Sequence, residues 1–148
     1  WAAFAERALP VADRDQAFRA LQDVPVGEVD GVILEGAAPG GLSPGRVLSV
    51  DRRPERLRIE AEAPGDGLLV VADAFWPGWK ARLDGRPVAI QRADLLVRAV
   101  AWPAGRHLLE MAYEPIEIPV GISISAAASL LVLALAARAW ISRRKGEA

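Results

Sequence analysis

The sequence predicts an all-β domain, an antiparallel β-sandwich with a short N-terminal helix, followed by one transmembrane α-helix. Three observations carry this. From Arg46 onward apolar residues recur at every second position, the period of a half-buried strand. Turn residues punctuate that alternation at regular intervals, as in Pro64-Gly65-Asp66-Gly67, Asp84-Gly85 and Pro103-Ala104-Gly105. From Ile118 to Ala137 no charged residue occurs, and the chain then turns basic.

Asp13 and Gln16 stand three apart, as in a capping box with a carboxylate in place of the usual hydroxyl, and open a helix that ends near Asp23, before Pro25. Ala17, Phe18 and Leu21 are expected on its buried face. Gly31 to Glu35 is a short apolar strand, and Ala37 to Gly45 a loop rich in Gly and Pro. Arg46 to Arg52 and Arg56 to Ala63 follow as strands. In the second, Leu57, Ile59 and Ala61 alternate with Arg58, Glu60 and Glu62, so one face is wet. Leu68 to Ala74 is apolar on both faces, which suits a central strand. Trp79, Ala81 and Leu83 lead into the Asp84-Gly85 hairpin turn, and Val88 and Ile90 lie on the return. Leu95 to Ala101 and His107 to Tyr113 complete about seven or eight short strands, a sandwich pattern rather than an α/β one.

The expected organisation is an extracytoplasmic β-sandwich over 1–115, a transmembrane helix over 116–138 and a basic cytoplasmic tail over 139–148. About 20 helical residues cover the roughly 30 Å of a bilayer's hydrocarbon core. Ile118, Val120, Ile122, Ile124, Leu130, Leu131, Val132, Leu133 and Leu135 favour insertion by roughly 3–5 kcal/mol together. Pro119, Gly121, Ser123, Ser125 and Ser129 return part of it, and Pro119 falls in the first turn, where proline is tolerated. Arg138, Arg143, Arg144 and Lys145 are the expected cytoplasmic anchor, with Trp140 as an interfacial aromatic. Gly121, Ser125 and Ser129 recur every four residues, a small-residue stripe that admits a neighbouring transmembrane helix, although Ala-rich helices also produce such spacings by chance.

Composition excludes several classes. A net charge of −1 offers no electrostatic case for nucleic acid. The absence of cysteine removes disulfides and thiolate metal sites. His107 is the only histidine, so no zinc set is expected, and it reads as structural for want of an acid or nucleophile partner in sequence. Asp84 reads as a turn residue. Asp73 and Asp94 would need to meet in space to act as an acid–base pair. No catalytic, metal or cofactor-binding constellation is legible. Lysine occurs only at Lys80 and Lys145 while arginine is abundant, which hints at a GC-rich bacterial genome. The start at Trp1, without Met or an export signal, suggests a processed form or the C-terminal end of a longer protein.

Phe75-Trp76-Pro77-Gly78-Trp79-Lys80-Ala81-Arg82-Leu83-Asp84-Gly85 has the character of a signature. With Arg98-Ala99-Val100, Pro103-Ala104-Gly105-Arg106-His107 and Tyr113-Glu114-Pro115, it resembles the C-terminal end of the bacterial YfhO-like membrane proteins. The likeness covers Leu68 to the C-terminus well and Trp1 to Ala63 loosely. It departs at Trp76, where that family usually has tyrosine. The resemblance implies a sandwich followed by a last transmembrane helix in a polytopic glycosyltransferase of GT-C type. Its catalytic acid would lie in an early extracytoplasmic loop outside this chain.

Pro77-Gly78 is expected to make a tight turn that sets Trp76 and Trp79 side by side. They could cap the end of the core, meet a partner or the lipid interface, or stack on a sugar. The preferred reading of the whole is a non-catalytic, single-pass interaction module in a bacterial cytoplasmic membrane. Its N-terminal domain would be periplasmic, and its partners the lipid bilayer and other transmembrane subunits. It would be an accessory subunit of, for example, a respiratory, photosynthetic or transport complex. The alternatives are the C-terminal portion of a YfhO-like glycosyltransferase and a membrane-tethered carbohydrate-binding domain.

Overall fold

A computed structural model describes residues 1–23, 31–115 and 117–146, and along the C-terminal helix the side chains from Val120 to Ala136. The expected break before Pro25 falls outside them. The chain divides into a β unit, Trp1–Glu114, and a helical unit, Pro115–Ala148.

The β unit runs β1 (Ala2–Phe4), β2 (Ala8–Val11), α1 (Arg14–Asp23), β3 (Val32–Glu35), β4 (Arg46–Arg53), β5 (Arg56–Ala63), β6 (Gly67–Ala74), β7 (Trp79–Leu83), β8 (Arg86–Val88), β9 (Gln91–Ala93), β10 (Val97–Trp102) and β11 (Gly105–Tyr113). One sheet has the order β1-β6-β10-β9-β3-β2 and the other β4-β5-β11-β7-β8. The main core lies where they face each other: Leu57, Ile59 and Ala61 of β5, Leu83 of β7, Leu109 and Met111 of β11, against Leu69 and Val71 of β6 and Val100 and Trp102 of β10. Strand alternation delivers these side chains to one face, as in Leu57, Ile59 and Ala61.

This is not the simple antiparallel sandwich expected from sequence. Strands β2 and β3 pair in parallel, joined through α1, which is the geometry a helical crossover permits. Pro10 is tolerated because β2 is an edge strand. The first sheet is also covered on its other face, where Ala5, Leu34, Leu68, Ala93 and Ala99 form a second, smaller core. That is why β6 is apolar on both faces: it lies inside the sheet between β1 and β10 and serves both cores.

Asp13 Oδ1 accepts from the Gln16 backbone N–H at 2.9 Å, and Gln16 Oε1 accepts from Ala12 N–H at 3.1 Å, so α1 is capped as its sequence suggests. Its buried stripe is narrower than expected. Ala17 is fully buried and Ala20 and Leu21 partly so, but Phe18 is exposed, because the buried stripe runs through 17, 20 and 21 and position 18 lies about 100° round the helix from Ala17.

The outer face of β4-β5-β11 is zipped by cross-strand ion pairs: Arg46–Glu62 at 2.8 Å, Arg58–Glu110 at 2.6 Å and Arg106–Glu60 at 2.7 Å. All are exposed, so they specify register more than they stabilise. The β9–β10 turn places Asp94 and Leu95 at φ 48° and 64°, both in the left-handed region. Asp94 is held there by long-range bonds. Its Oδ1 accepts from Ile33 N–H, and its own N–H donates to the Ile33 carbonyl, each at 2.8 Å. Asp94→Ala should therefore lower unfolding free energy by about 1–2 kcal/mol, from the lost acceptor and the poorer left-handed tolerance. Asp94→Asn, which retains both features, should unfold within about 0.5 kcal/mol of the parent in urea titrations.

The second helix, α2, spans Glu117–Gly146. The expected membrane span over Ile118–Ala137 is not met among the described residues, where no helix is long and apolar enough to cross a membrane. The side chains described along α2 run from Val120 to Ala136. The side chains of Arg138, Trp140, Arg143, Arg144 and Lys145 lie outside the described set.

Candidate functional site

The signature segment builds one end of the β unit. Pro77 precedes Gly78, whose φ of 99° suits the third position of a type II turn. Phe75 N–H donates to the Leu96 carbonyl at 2.6 Å, tying this loop to the β9–β10 turn. Glu114 N–H donates to the Gly78 carbonyl at 2.7 Å, tying the last residue of the unit to the same turn.

Behind the turn lies a buried cation. Arg98 is 2% exposed. Its Nε donates to the Ala74 carbonyl at 2.8 Å, a terminal nitrogen lies 3.4 Å from Asp73 Oδ2, and the guanidinium carbon sits 3.9 Å from the centre of the Trp79 ring. Trp79 in turn leans on Tyr113 at 5.6 Å. Asp73 is shared with Arg52 at 3.7 Å, and Arg52 covers Trp1 at 4.7 Å. Pairing between β6 and β10 shifts register between Val97 and Arg98, a bulge that falls beside Asp73. Burial lowers the pKa of Arg98, opposed by the nearby Asp73 carboxylate. A planar fork suits this position because it can serve a carbonyl, a carboxylate and a ring face together.

The two tryptophans thus have different environments. Trp79 is half-buried, with one face taken by Arg98, whereas Trp76 is 64% exposed. They line a shallow groove of about 290 Å³ with Phe75, Pro77, Val88 and Ile90. Of the pair, Trp76 offers the open ring. Asp73 and Asp94, considered as an acid–base pair, have separate partners: Arg98 and Arg52 for the first, the Ile33 N–H for the second.

A second cluster was hidden by sequence distance. His107 Nδ1 lies 2.5 Å from Asp84 Oδ2, and its Nε2 lies 3.2 Å from the Ala104 carbonyl. Both neighbours accept hydrogen bonds, and only the doubly protonated imidazolium can donate to both. The Asp84 hydrogen bond accordingly raises the His107 pKa, against a desolvation cost, with help from Ala104. Asp84 is lowered first by the Leu108 N–H, which donates to Oδ1 at 2.9 Å, and then by His107, with Arg86 adding a smaller pull. Asp84 and Gly85, at φ 50° and 80°, form the type I′ turn that the Asp-Gly pair favours. The pair borders a cavity of about 370 Å³ lined by Leu83, Arg86, Val88 and Pro103, none of them a nucleophile. Among the described residues no group of acidic or histidine side chains could hold a metal ion.

This pair gives a pH signature. A raised His107 pKa contributes stability that is present below 6.5 and lost as pH rises through the folded value. A lowered Asp84 pKa contributes stability present above 3.8 and lost as pH falls through its folded value. The melting temperature should therefore decline from pH 6.5 upward in the parent, and His107→Gln should flatten that decline. An NMR titration of the single histidine should give a midpoint above 6.5.

Comparison with family models, curated proteins and solved structures finds no match. The likeness to YfhO-like proteins rests on the motif series alone.

Proposed function

We propose that this chain is a membrane-anchored interaction module without catalytic chemistry of its own, seated on a larger membrane protein assembly. One observation carries the reading: among the described side chains of α2 none is charged, and the large apolar ones are not confined to one face. From Val120 to Ala136 every described side chain is exposed, and Val120, Ile122, Ile124, Leu130, Leu131, Val132, Leu133 and Leu135 point around the whole circumference. A helix apolar all round belongs in a membrane or a protein interior. Removing those side chains from water would contribute on the order of 10 kcal/mol.

In this reading Ile118–Ala137 crosses the bilayer of a bacterial cytoplasmic membrane, with Arg138, Arg143, Arg144 and Lys145 on the cytoplasmic side and Trp140 at the interface. The β unit is then extracytoplasmic. Gly121, Ser125 and Ser129 form the face that admits a partner helix. The Ser129 hydroxyl donates to the Ser125 carbonyl at 2.8 Å, so its hydrogen bond is met within the helix and small residues at 121, 125 and 129 allow a close approach. Gentle solubilisation of native membranes, followed by native electrophoresis, tests it. Co-migration with other membrane subunits is expected, and migration as a free monomer counts against it.

A second reading, the C-terminal portion of a YfhO-like glycosyltransferase, is favoured by the way signature residues far apart in sequence, Trp79, Arg98 and Tyr113, contact one another. The intact mass of the native product separates the two. A polytopic protein several times longer supports the second reading, and a chain near 15.8 kDa sinks it.

A further inference from the structure

We infer that Trp76 and Leu96 form an interfacial foot by which the β unit itself dips into the lipid headgroup layer. The inference rests on the proposed membrane anchorage and adds a second contact to it. Trp76 is 64% and Leu96 67% exposed, among the most exposed large apolar side chains of the β unit. They stand on separate loops joined by the Phe75 N–H to Leu96 carbonyl bond, which brings the two loops to the same end of the β unit, its tip.

The chain leaves the β unit beside that tip. Glu114 is bonded to Gly78, and α2 begins at Glu117. Three residues of chain reach at most about 11 Å. The polar layer on each side of a bilayer is roughly 5–8 Å thick, so any path between these residues short of full extension leaves the Pro77-Gly78 turn at or near its depth. The chemistry also fits. Tryptophan is favoured at headgroup depth. Charged groups near the tip have partners within the unit: Lys80 pairs with Glu114 at 3.0 Å, Arg92 with Glu35 at 3.3 Å while lying over Phe75, Asp73 with Arg98 and Arg52, and Asp94 accepts from the Ile33 N–H. The headgroup layer is itself hydrated, so entry to that depth leaves the exposed Lys80 and Glu114 in contact with water.

Because the chain lacks cysteine, single labels can be placed in the full-length protein. An environment-sensitive fluorophore is attached to Trp76→Cys, Leu96→Cys, Leu131→Cys or Ala104→Cys, the last in the β10–β11 turn at the opposite end of β10. Each protein is reconstituted in phosphatidylcholine vesicles with and without nitroxide-bearing lipid. Labels at 76, 96 and 131 should be quenched, the first two at least half as strongly as the third, and the label at 104 should be spared. Quenching at 131 alone would overturn the foot and leave the anchor standing. Quenching at none would remove the anchor and the foot with it. Quenching at all four would mean indiscriminate adsorption and would also overturn the foot.

Discussion

Trp102→Ala is expected to lower the unfolding free energy of the β unit by about 3–5 kcal/mol. Trp102 is 1% exposed and is the largest side chain between the two sheets. Its ring meets Phe4 edge-on at 5.7 Å and His107 at 5.8 Å, so it joins β1, β10 and β11. Truncation removes that apolar area and opens a cavity that β-strands, pinned by their ladders on both sides, cannot collapse to fill. Domains of this kind have only about 5–15 kcal/mol in hand. The urea midpoint of the detergent-solubilised chain, followed by the circular dichroism of its β signal, should fall steeply. Trp102→Phe should lose less, because it retains a ring. A Trp102→Ala midpoint within experimental error of the parent would mean that the sheets do not depend on this contact.

Arg98→Ala should be the second large effect, about 2–4 kcal/mol. The loss has three parts. The Ala74 carbonyl loses its donor, Trp79 loses the cation on its face, and Asp73 loses its shorter-range partner. Truncating one member of a fully buried pair costs about 3–5 kcal/mol, and the figure is reduced here because Asp73 is 28% exposed and retains Arg52. Arg98→Lys should recover only part, since an ammonium cannot reproduce the planar fork. Arg98→Met separates packing from charge. If it matches the parent, the cation is dispensable, whereas a loss close to that of Arg98→Ala assigns the effect to the hydrogen bonds. A double-mutant cycle with Asp73→Asn then isolates the pair.

Where local pattern decides the structure, the sequence was readable. The alternation of Leu57, Ile59 and Ala61 with Arg58, Glu60 and Glu62 places one face of β5 inward, and Asp84-Gly85 makes the expected I′ turn. Strand β6, apolar on both faces, lies inside its sheet. Where distant segments decide it, the sequence was mute. Strands β1 and β2 have three and four residues, too few for a period to register. The parallel β2–β3 pair and the second core depend on how α1 and the loop after β3 fold over the first sheet.

The candidate sites divide the same way. The acid that meets His107, Asp84, lies 23 residues away on another hairpin, so no local pattern in the sequence joins them. Arg98 was the more discoverable of the two. It stands two and four residues before Val100 and Trp102, so strand alternation alone sends it to the inward face with them. A charged residue in phase with core residues is the signal that finds such a site, although its partners, Asp73 and Trp79, come from other strands. The solvent exposure of Trp76, in contrast to Trp79, follows from which side of the Pro77-Gly78 turn each occupies, and composition cannot resolve that.

If the apolar side chains of α2 anchor the chain in a membrane, as proposed, flotation will show it. Bacterial lysate containing the full chain is stripped with alkaline carbonate and centrifuged upward through a density gradient. The chain should rise with the lipid. Recovery at the bottom of the gradient, in the soluble or aggregated fraction, would contradict it.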